Sequence, residues 1–97
     1  MSRVELESSL EERCVRRVEA LGGVALKLQM PGVRGFPDRT VLIEGRVFFV
    51  EFKRSKGGVI STQQRRWHER LRRLGFYCAT VDSEEDFDSL FEERLNA

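Results

Sequence analysis

The order of secondary-structure signals along this 97-residue chain predicts an α/β fold. Two observations support the prediction: apolar residues recur at helical spacing in three segments, and short runs of β-branched and aromatic residues lie between them. Glycine and proline clusters mark the boundaries. The predicted order is α-β-β-β-α-β-α, and the length suits one small domain spanning residues 1–97.

Local signals define each element in turn. The first helix is predicted to start at a capping box formed by Ser9 and Glu12, and Gly22 ends it. Glu44 and Gly45 are expected to form the turn of a hairpin. The predicted elements are a helix ending at Leu21, strands at 24–28, 40–43 and 46–53, a helix at 62–74, a strand at 76–81 and an acidic helix at 83–95.

The remaining apolar and sulfur-containing residues suggest an ordinary soluble core. No apolar run is long enough to cross a membrane and no basic-then-apolar leader is present, so we expect an intracellular, cytoplasmic protein without membrane contact.

Cys14 and Cys78 lie far apart in apolar periodic segments, which predicts two buried thiols. In the middle helix, Trp67 is expected in the core and His68 at the helix surface or boundary.

Charge is segregated along the chain, although the net charge is only +1. Between Lys53 and Arg73 there are eight basic residues and one acid, whereas between Asp82 and Glu93 there are seven acids and no base. A basic stretch attracts a polyanion through charge neutralisation and counterion release. A solvated helix face explains the same pattern equally well. The acidic helix would repel DNA, so we expect it on the side away from any nucleic-acid cleft.

Carboxylates and one amine cluster around the predicted hairpin. Asp38 stands at the start of one strand, and Glu51 and Lys53 lie two residues apart on the next. Alternate residues of a strand share a face, so Glu51 and Lys53 should emerge together while Val50 and Phe52 point the other way. The pattern predicts a metal site with a lysine beside it.

The residue types at this position indicate a particular chemistry. Asp38, Glu51 and the backbone carbonyl of Phe52 offer the oxygen ligands that a hard cation such as Mg²⁺ prefers. The ion would polarise a phosphoryl oxygen and acidify a bound water. Lys53 would orient that water and offset the charge that develops on the phosphate. Together these groups would hydrolyse a phosphodiester.

One polar residue interrupts the apolar stripe of the middle helix. Gln64 occupies the inward position that completes the spacing of Trp67, Leu71 and Leu74. An unpaired buried amide costs about 1 to 3 kcal/mol, so this side chain needs a partner. Either Gln64 reaches back to Ser61 in a capping box, or it braces a catalytic carboxylate or a bound water.

Several short motifs follow one another in a fixed order across residues 9–81. They are Leu10-Glu11, Leu21-Gly22-Gly23, Lys27-Leu28, Pro31-Gly32, Arg34-Gly35-Phe36-Pro37-Asp38-Arg39, Val50-Glu51-Phe52-Lys53, Gln64 and Leu74-Gly75-Phe76. This ordered set resembles the virus-type replication-repair nuclease (VRR-NUC) domain in its stand-alone form, a branch of the PD-(D/E)xK nuclease superfamily. The resemblance implies a restriction-endonuclease-like core, with a central mixed β-sheet flanked by helices.

The resemblance also implies roles for individual residues. The implied site residues are Asp38, Glu51, Lys53, Gln64 and Glu11. Asp38 and Glu51 would bind Mg²⁺ or Mn²⁺, and Lys53 would be the catalytic lysine. Glu11 matches an acidic residue that the family carries on its first helix, where it contributes to the metal site. Glu12 competes for that place, but Glu12 suits the predicted capping box better.

The implied function is a metal-dependent, structure-selective DNA endonuclease. Stand-alone members of the family are associated with homodimers that resolve four-way junctions, so we expect a Holliday junction resolvase of bacterial or phage origin. A two-fold dimer would supply the two symmetric nicks. The alternative is a non-catalytic DNA-binding subunit of a replication or repair assembly. The candidate DNA-binding residues are Lys27, Arg34, Arg54, Lys56, Arg65 and Arg66.

The last helix lies outside the strongest part of the resemblance. Its apolar residues Phe87, Leu90 and Phe91 either pack on the sheet or form a dimer interface. Packing on the sheet is the preferred expectation.

Overall fold

A computed structural model describes residues 7–53 and 59–96 of the chain. The predicted order of elements is confirmed. The elements are α1 (Glu7–Ala20), β1 (Val24–Leu26), β2 (Arg39–Ile43), β3 (Arg46–Phe52), α2 (Thr62–Arg73), β4 (Tyr77–Val81) and α3 (Glu84–Leu95). Two expected DNA contacts, Arg54 and Lys56, lie outside the described residues.

The four strands form one mixed sheet in the order β1-β2-β3-β4. The first three strands are antiparallel neighbours, and β4 runs parallel to β3 after the crossover through α2. The hairpin between β2 and β3 turns at Glu44 and Gly45, with φ angles of 50° and 75°. Positive φ at both positions is the requirement of a two-residue type I′ turn, so the predicted hairpin is confirmed.

Two element boundaries differ from the prediction. The first helix begins by Glu7, so Ser9 lies inside α1 and does not cap it; a Ser-x-x-Glu pattern also occurs within helices and does not by itself mark a start. Strand β1 ends at Leu26, which pairs with Thr40. Because β2 begins only one residue before Thr40, no partner remains for Leu28, and the strand is shorter than predicted.

Helices cover both faces of the sheet. The larger core lies under α1 and α3; its buried members are Leu10, Cys14, Val18, Val41, Ile43, Phe48, Val50, Phe52, Val81, Phe87, Leu90 and Phe91. A smaller core under α2 consists of Phe49, Leu71 and Cys78, with Phe36 and Trp67 packed against it. Strand β3 therefore supplies buried residues to both faces.

The acidic helix α3 lies on the face opposite α2. Phe87, Leu90 and Phe91 are buried in the larger core, which confirms the expected packing on the sheet. Arg17 on α1 contacts Asp88 at 3.0 Å and so offsets part of the acidic charge. The acidic surface is thus separated from α2 by the thickness of the sheet, as expected.

The two thiols behave as the sequence predicts. Cys14 and Cys78 are free and buried, one in each core. Burial raises the pKa of Cys14 to about 12 and that of Cys78 to about 11, so both are inert thiols at neutral pH. Within the described residues, no helix combines the length and apolar character needed to span a bilayer.

A glycine loop between β1 and β2 packs against the start of α2. Gly35 has a φ of 85°, and a Cβ at this position would lie 2.5 Å from the backbone carbonyl carbon of Gln63. The next residue, Phe36, makes edge-to-face contacts with Phe49 and Trp67 at 5.7 and 5.1 Å between ring centroids. Only glycine allows this close approach, which fixes the loop beside the first turn of α2.

We predict that Gly35→Ala destabilises the fold far more than Gly32→Ala does. Gly32 has a similar φ of 80° but no atom within 4 Å of the position a Cβ would take. Gly32→Ala should therefore lower the free energy of unfolding by about 1 to 2 kcal/mol through backbone strain alone. Gly35→Ala adds a backbone clash and should cost about 2 to 4 kcal/mol. Urea denaturation measures both; equal losses would contradict the close packing of the loop on α2.

Candidate functional site

Asp38 lies immediately before β2, at the end of the sheet where β3 finishes. Arg39 pairs with Val50 in the antiparallel ladder, so Asp38 comes opposite Glu51. The carboxylate oxygen Oδ2 of Asp38 accepts a hydrogen bond from the backbone N–H of Phe52 at 2.8 Å. This bond replaces the backbone hydrogen bond that Phe52 would make if its pairing with β2 continued past Arg39. It holds the Asp38 carboxylate beside that of Glu51.

Glu51 is a buried carboxylate on the α2 face of the sheet, only 3% exposed. Its neighbours Val50 and Phe52 point into the larger core on the opposite face, as the strand alternation predicts. Gln64 Nε2 donates to Glu51 Oε2 at 2.9 Å, and His68 Nε2 lies 3.3 Å from Glu51 Oε1. Both oxygens of Glu51 are therefore in contact with side chains of α2.

Gln64 performs both of the roles that the sequence left open. Its Oε1 accepts from the backbone N–H of Ser61 at 2.7 Å, and its own N–H donates to Ser61 Oγ at 3.1 Å, completing the capping box. Its Nε2 remains available to donate to Glu51. Because an amide carries an acceptor and two donors, one side chain both starts the helix and braces the carboxylate.

The expected position of His68 is wrong. The side chain is 3% exposed and faces Glu51, whereas Leu74, placed by the sequence on the apolar stripe, is 63% exposed at the helix end. The inward face of α2 comprises Gln64, His68 and Leu71, with Trp67 half-buried. Hydropathy alone favours a leucine over a histidine on the inward face of α2. His68 lies inward because it contacts Glu51 on the sheet below.

Burial raises the pKa of Glu51 to about 7. Desolvation of the charged form is the largest cause, and the neighbouring Asp38 carboxylate raises the pKa further by like-charge repulsion. The contact with His68 acts in the opposite direction. Two adjacent carboxylates in a buried setting are unfavourable unless a proton or a cation lies between them.

Lys53 and the Phe52 carbonyl are placed by the last residues of β3. Lys53 donates its backbone N–H to Val81 at 2.8 Å, which continues the ladder with β4 by one residue. The strand alternation puts the half-buried Lys53 side chain on the same face as Glu51. The N–H and C=O of one strand residue leave on the same side, so the Phe52 carbonyl points toward Asp38 rather than toward β4.

Glu11 is not brought to the pair formed by Asp38 and Glu51. Its carboxylate Oε2 accepts from Arg39 Nε at 2.6 Å and lies 4.0 Å from Lys27 Nζ. Arg39 also donates to the carbonyl of Ala25 at 3.0 Å, so this ion pair ties α1 to the strands. Glu11 is half-buried whereas its competitor Glu12 is exposed.

The expected DNA contacts that the structure describes are surface residues. Lys27, Arg34, Arg65 and Arg66 are exposed. Arg65 and Arg66 lie in the first half of α2, next to Gln64, whereas Arg34 lies in the loop that packs on the same helix turn. Arg34, Arg65 and Arg66 therefore lie near the end of α2 that carries the contacts to Glu51, whereas Lys27 lies beside Glu11.

The donor set fits one hard divalent cation. Among residues 7–53 and 59–96, no group of three or more His, Cys, Asp or Glu side chains is arranged to hold a metal. Asp38 and Glu51 provide a pair of carboxylates instead, and the Phe52 carbonyl is directed to their side of β3. Carboxylate and carbonyl oxygens supplemented by water are the usual environment of Mg²⁺.

A mixed sheet that presents a carboxylate pair and a lysine at the end of its central hairpin defines a PD-(D/E)xK-like α/β protein. No protein-family model matches the chain. A solved structure described as a "VRR_NUC domain" is similar over 89% of this chain and 94% of that chain, with 37% identity and a TM-score of 0.81. "Putative nuclease p44" of Acyrthosiphon pisum secondary endosymbiont phage 1 is 40% identical over 80 residues.

The p44 match covers 81% of this chain and 85% of that relative, so the similarity extends over nearly the whole length of both proteins. The chain therefore belongs to the VRR-NUC family of nucleases. The fold expected from the motif order is confirmed by this structural similarity.

Proposed function

We propose that this protein is a divalent-metal-dependent endonuclease that cuts DNA and acts as a homodimer on four-way junctions. The observation that supports the chemistry best is the pair of adjacent carboxylates, Asp38 and Glu51, at the end of the central hairpin. Mere phosphate binding has no use for a pair of carboxylates of which one, Glu51, is buried. This disfavours the alternative of a non-catalytic DNA-binding subunit. Residues 1–97 would form one nuclease domain, working in the cytoplasm where its DNA substrate lies.

Each site residue has a defined part in the proposal. Asp38, whose Oδ2 accepts from the Phe52 N–H, would hold Mg²⁺ or Mn²⁺ together with Glu51 and the Phe52 carbonyl. When bound, the ion would polarise a phosphoryl oxygen and acidify a water. Lys53 orients the water and balances charge on the phosphate. Gln64 fixes one oxygen of Glu51 from the first turn of α2.

Glu11 takes a more distant part in this proposal. Its ion pair with Arg39 fixes the residue next to Asp38, and so orients the start of β2. Glu11 contacts Arg39 and Lys27 and does not form a three-carboxylate group with Asp38 and Glu51 among the described residues. We therefore assign it a supporting role in the metal site and keep Asp38 and Glu51 as direct ligands.

The exposed arginines of α2 support a nucleic-acid ligand. We predict that Arg65→Glu or Arg66→Glu weakens DNA binding and lowers the slope of log K against log salt by about 1 to 2, because fewer counterions are released. Arg16→Glu, an equally exposed change on α1, is the matched control. Fluorescence anisotropy at several salt concentrations measures the slope. If all three changes altered the DNA affinity and its salt dependence equally, α2 would be better explained as an ordinary solvated helix face.

An uncovered apolar surface supports the homodimer. Val24, Leu42 and Val47 lie side by side in register across β1, β2 and β3, with Leu26 next to them. All four point to the α2 face and remain about two-fifths exposed, because α2 packs over β3 and β4 only. In a two-fold dimer, the same surface of each of the two copies forms the contact. The basic surface of α2 and the acidic surface of α3 would repel their own copies, whereas this apolar face would not.

The test is cleavage of end-labelled four-way junction, flap and linear duplex DNA with Mg²⁺ or Mn²⁺. The proposal predicts paired, symmetric nicks on the junction. Leu42→Asp should give a monomer in light scattering and unpaired nicks, while Leu21→Asp, equally apolar and 54% exposed outside this face, should remain dimeric. Preferred cutting of flaps by a monomer would refute the resolvase assignment and leave the nuclease assignment intact.

A further inference from the structure

One histidine of α2 contacts the buried carboxylate that the proposed metal site uses. His68 Nε2 lies 3.3 Å from Glu51 Oε1, while Gln64 Nε2 lies 2.9 Å from Glu51 Oε2. Gln64 and His68 are four residues apart and share one face of the helix. One helix therefore contacts both oxygens of a single carboxylate, from two successive turns.

Stability alone does not account for this contact. His68 and Glu51 are each 3% exposed, so both polar groups are desolvated. A buried polar pair is weak support for a fold, and an apolar pair of the same volume is often as stable or more stable. The same face of the sheet carries the buried apolar cluster of Phe49, Leu71 and Cys78, so packing there does not require polar side chains. The pair is therefore better explained by a need to hold Glu51 in one orientation.

We infer that His68 is a positioning residue that fixes the rotation of the Glu51 carboxylate for metal binding. The inference rests on the metal site proposed above. With only the Gln64 bond, the carboxylate could rotate about its last bond. A second donor on the other oxygen removes that freedom. Each carboxylate oxygen accepts more than one bond, so both contacts leave lone pairs for a cation.

The geometry also specifies the imidazole tautomer. An ionised carboxylate only accepts hydrogen bonds, so the ring nitrogen that faces Glu51 must carry the proton. His68 therefore has its proton on Nε2 when metal is bound. Groups that hold a metal ligand in this way are typically worth tenfold to a hundredfold in metal affinity.

The experiment is a calorimetric titration of the metal-free protein with Mn²⁺ alone. His68→Leu removes the donor and keeps an apolar group of similar size; we expect its Kd for Mn²⁺ to rise about 10-fold to 100-fold. His68→Gln can place a side-chain N–H near the same point and should stay within about threefold of wild type. Leu71→Met, a change of the same buried face three residues away, should bind as wild type does. Urea denaturation of the metal-free proteins, at the pH of the titration, should show His68→Leu folded but less stable than wild type, because Glu51 loses a buried partner.

The possible results distinguish the positioning role of His68 from the proposed metal site on which it rests. Wild-type affinity in His68→Leu, or an equal loss in His68→Gln and Leu71→Met, would overturn the positioning role while leaving the metal site standing. Absence of Mn²⁺ binding in wild type would remove the metal site and, with it, this inference. His68 is the sole histidine of the chain, so nitrogen NMR of the untagged protein reports its tautomer directly. A proton on Nδ1 alone, in the protein loaded with diamagnetic Mg²⁺, would also overturn the inference.

Discussion

Asp38→Asn is expected to abolish DNA cleavage while leaving DNA binding nearly unchanged. The amide keeps a carbonyl oxygen to accept from the Phe52 N–H, so the local backbone should be preserved. The lost negative charge removes a metal ligand, which should cost about 4 kcal/mol of transition-state stabilisation, or a factor of about a thousand in rate. Single-turnover cleavage with saturating enzyme measures the rate, and anisotropy measures binding.

The matched control for Asp38→Asn is Glu93→Gln, which removes one negative charge from the exposed surface of α3 on the other side of the sheet. It should cut DNA as wild type does. Cleavage by Asp38→Asn at more than about a tenth of the wild-type rate would be too fast for the loss of a direct metal ligand. That result would remove Asp38 from the site.

Glu51→Gln is expected to abolish cleavage and, in the absence of metal, to stabilise the fold at pH 8. Below pH 4.5 the Glu51 carboxyl is protonated in both folded and unfolded chains. Between 4.5 and about 7 the unfolded chain loses this proton while the folded chain keeps it, so stability falls as pH rises through that window. The neutral amide has no such loss, so the variant should be about 1 to 3 kcal/mol more stable at pH 8.

Urea denaturation with a chelator, at pH 5 and at pH 8, tests this expectation. The advantage of Glu51→Gln should be largest at pH 8 and shrink toward pH 5, whereas Glu93→Gln should show no comparable trend. Added Mg²⁺ should stabilise wild type, because a ligand that binds only the folded state shifts the equilibrium. It should not stabilise Glu51→Gln. A variant less stable than wild type at pH 8 would show that the ionised carboxylate supports the fold rather than straining it.

Much of the fold could be predicted because its boundaries are set by local chemistry. Gly22 and Gly75 end helices, the Glu44-Gly45 turn needs positive φ, and Ser61 caps α2. The orientation of Glu51 could also be predicted, since the alternation of β3 puts it on the face opposite Val50. Such features depend on residues a few positions apart, and the sequence displays them directly.

The contact of His68 with Glu51 could not be predicted in the same way, although the role of Gln64 was one of two that the sequence left open. The partner of His68 lies 17 residues earlier on a strand, and the contact depends on how α2 sits on the sheet. A polar residue on an amphipathic helix is ordinarily placed outward, and a contact between two different elements leaves no periodic signal in the sequence. The pairing of Glu11 with Arg39 was missed for the same reason: it joins α1 to β2 across 28 residues.

The central claim is that Asp38 and Glu51 form a metal-dependent nuclease centre, and metal-dependent cleavage by the wild-type protein tests it most directly. The measurement is the single-turnover rate on an end-labelled four-way junction, titrated with Mg²⁺ or Mn²⁺ and compared with chelator and with Asp38→Asn. The proposal predicts cutting that rises with metal, is absent with chelator and is lost in the variant. Tight DNA binding without cutting at any metal concentration, on junction, flap or duplex alike, would contradict it and favour a DNA-binding subunit.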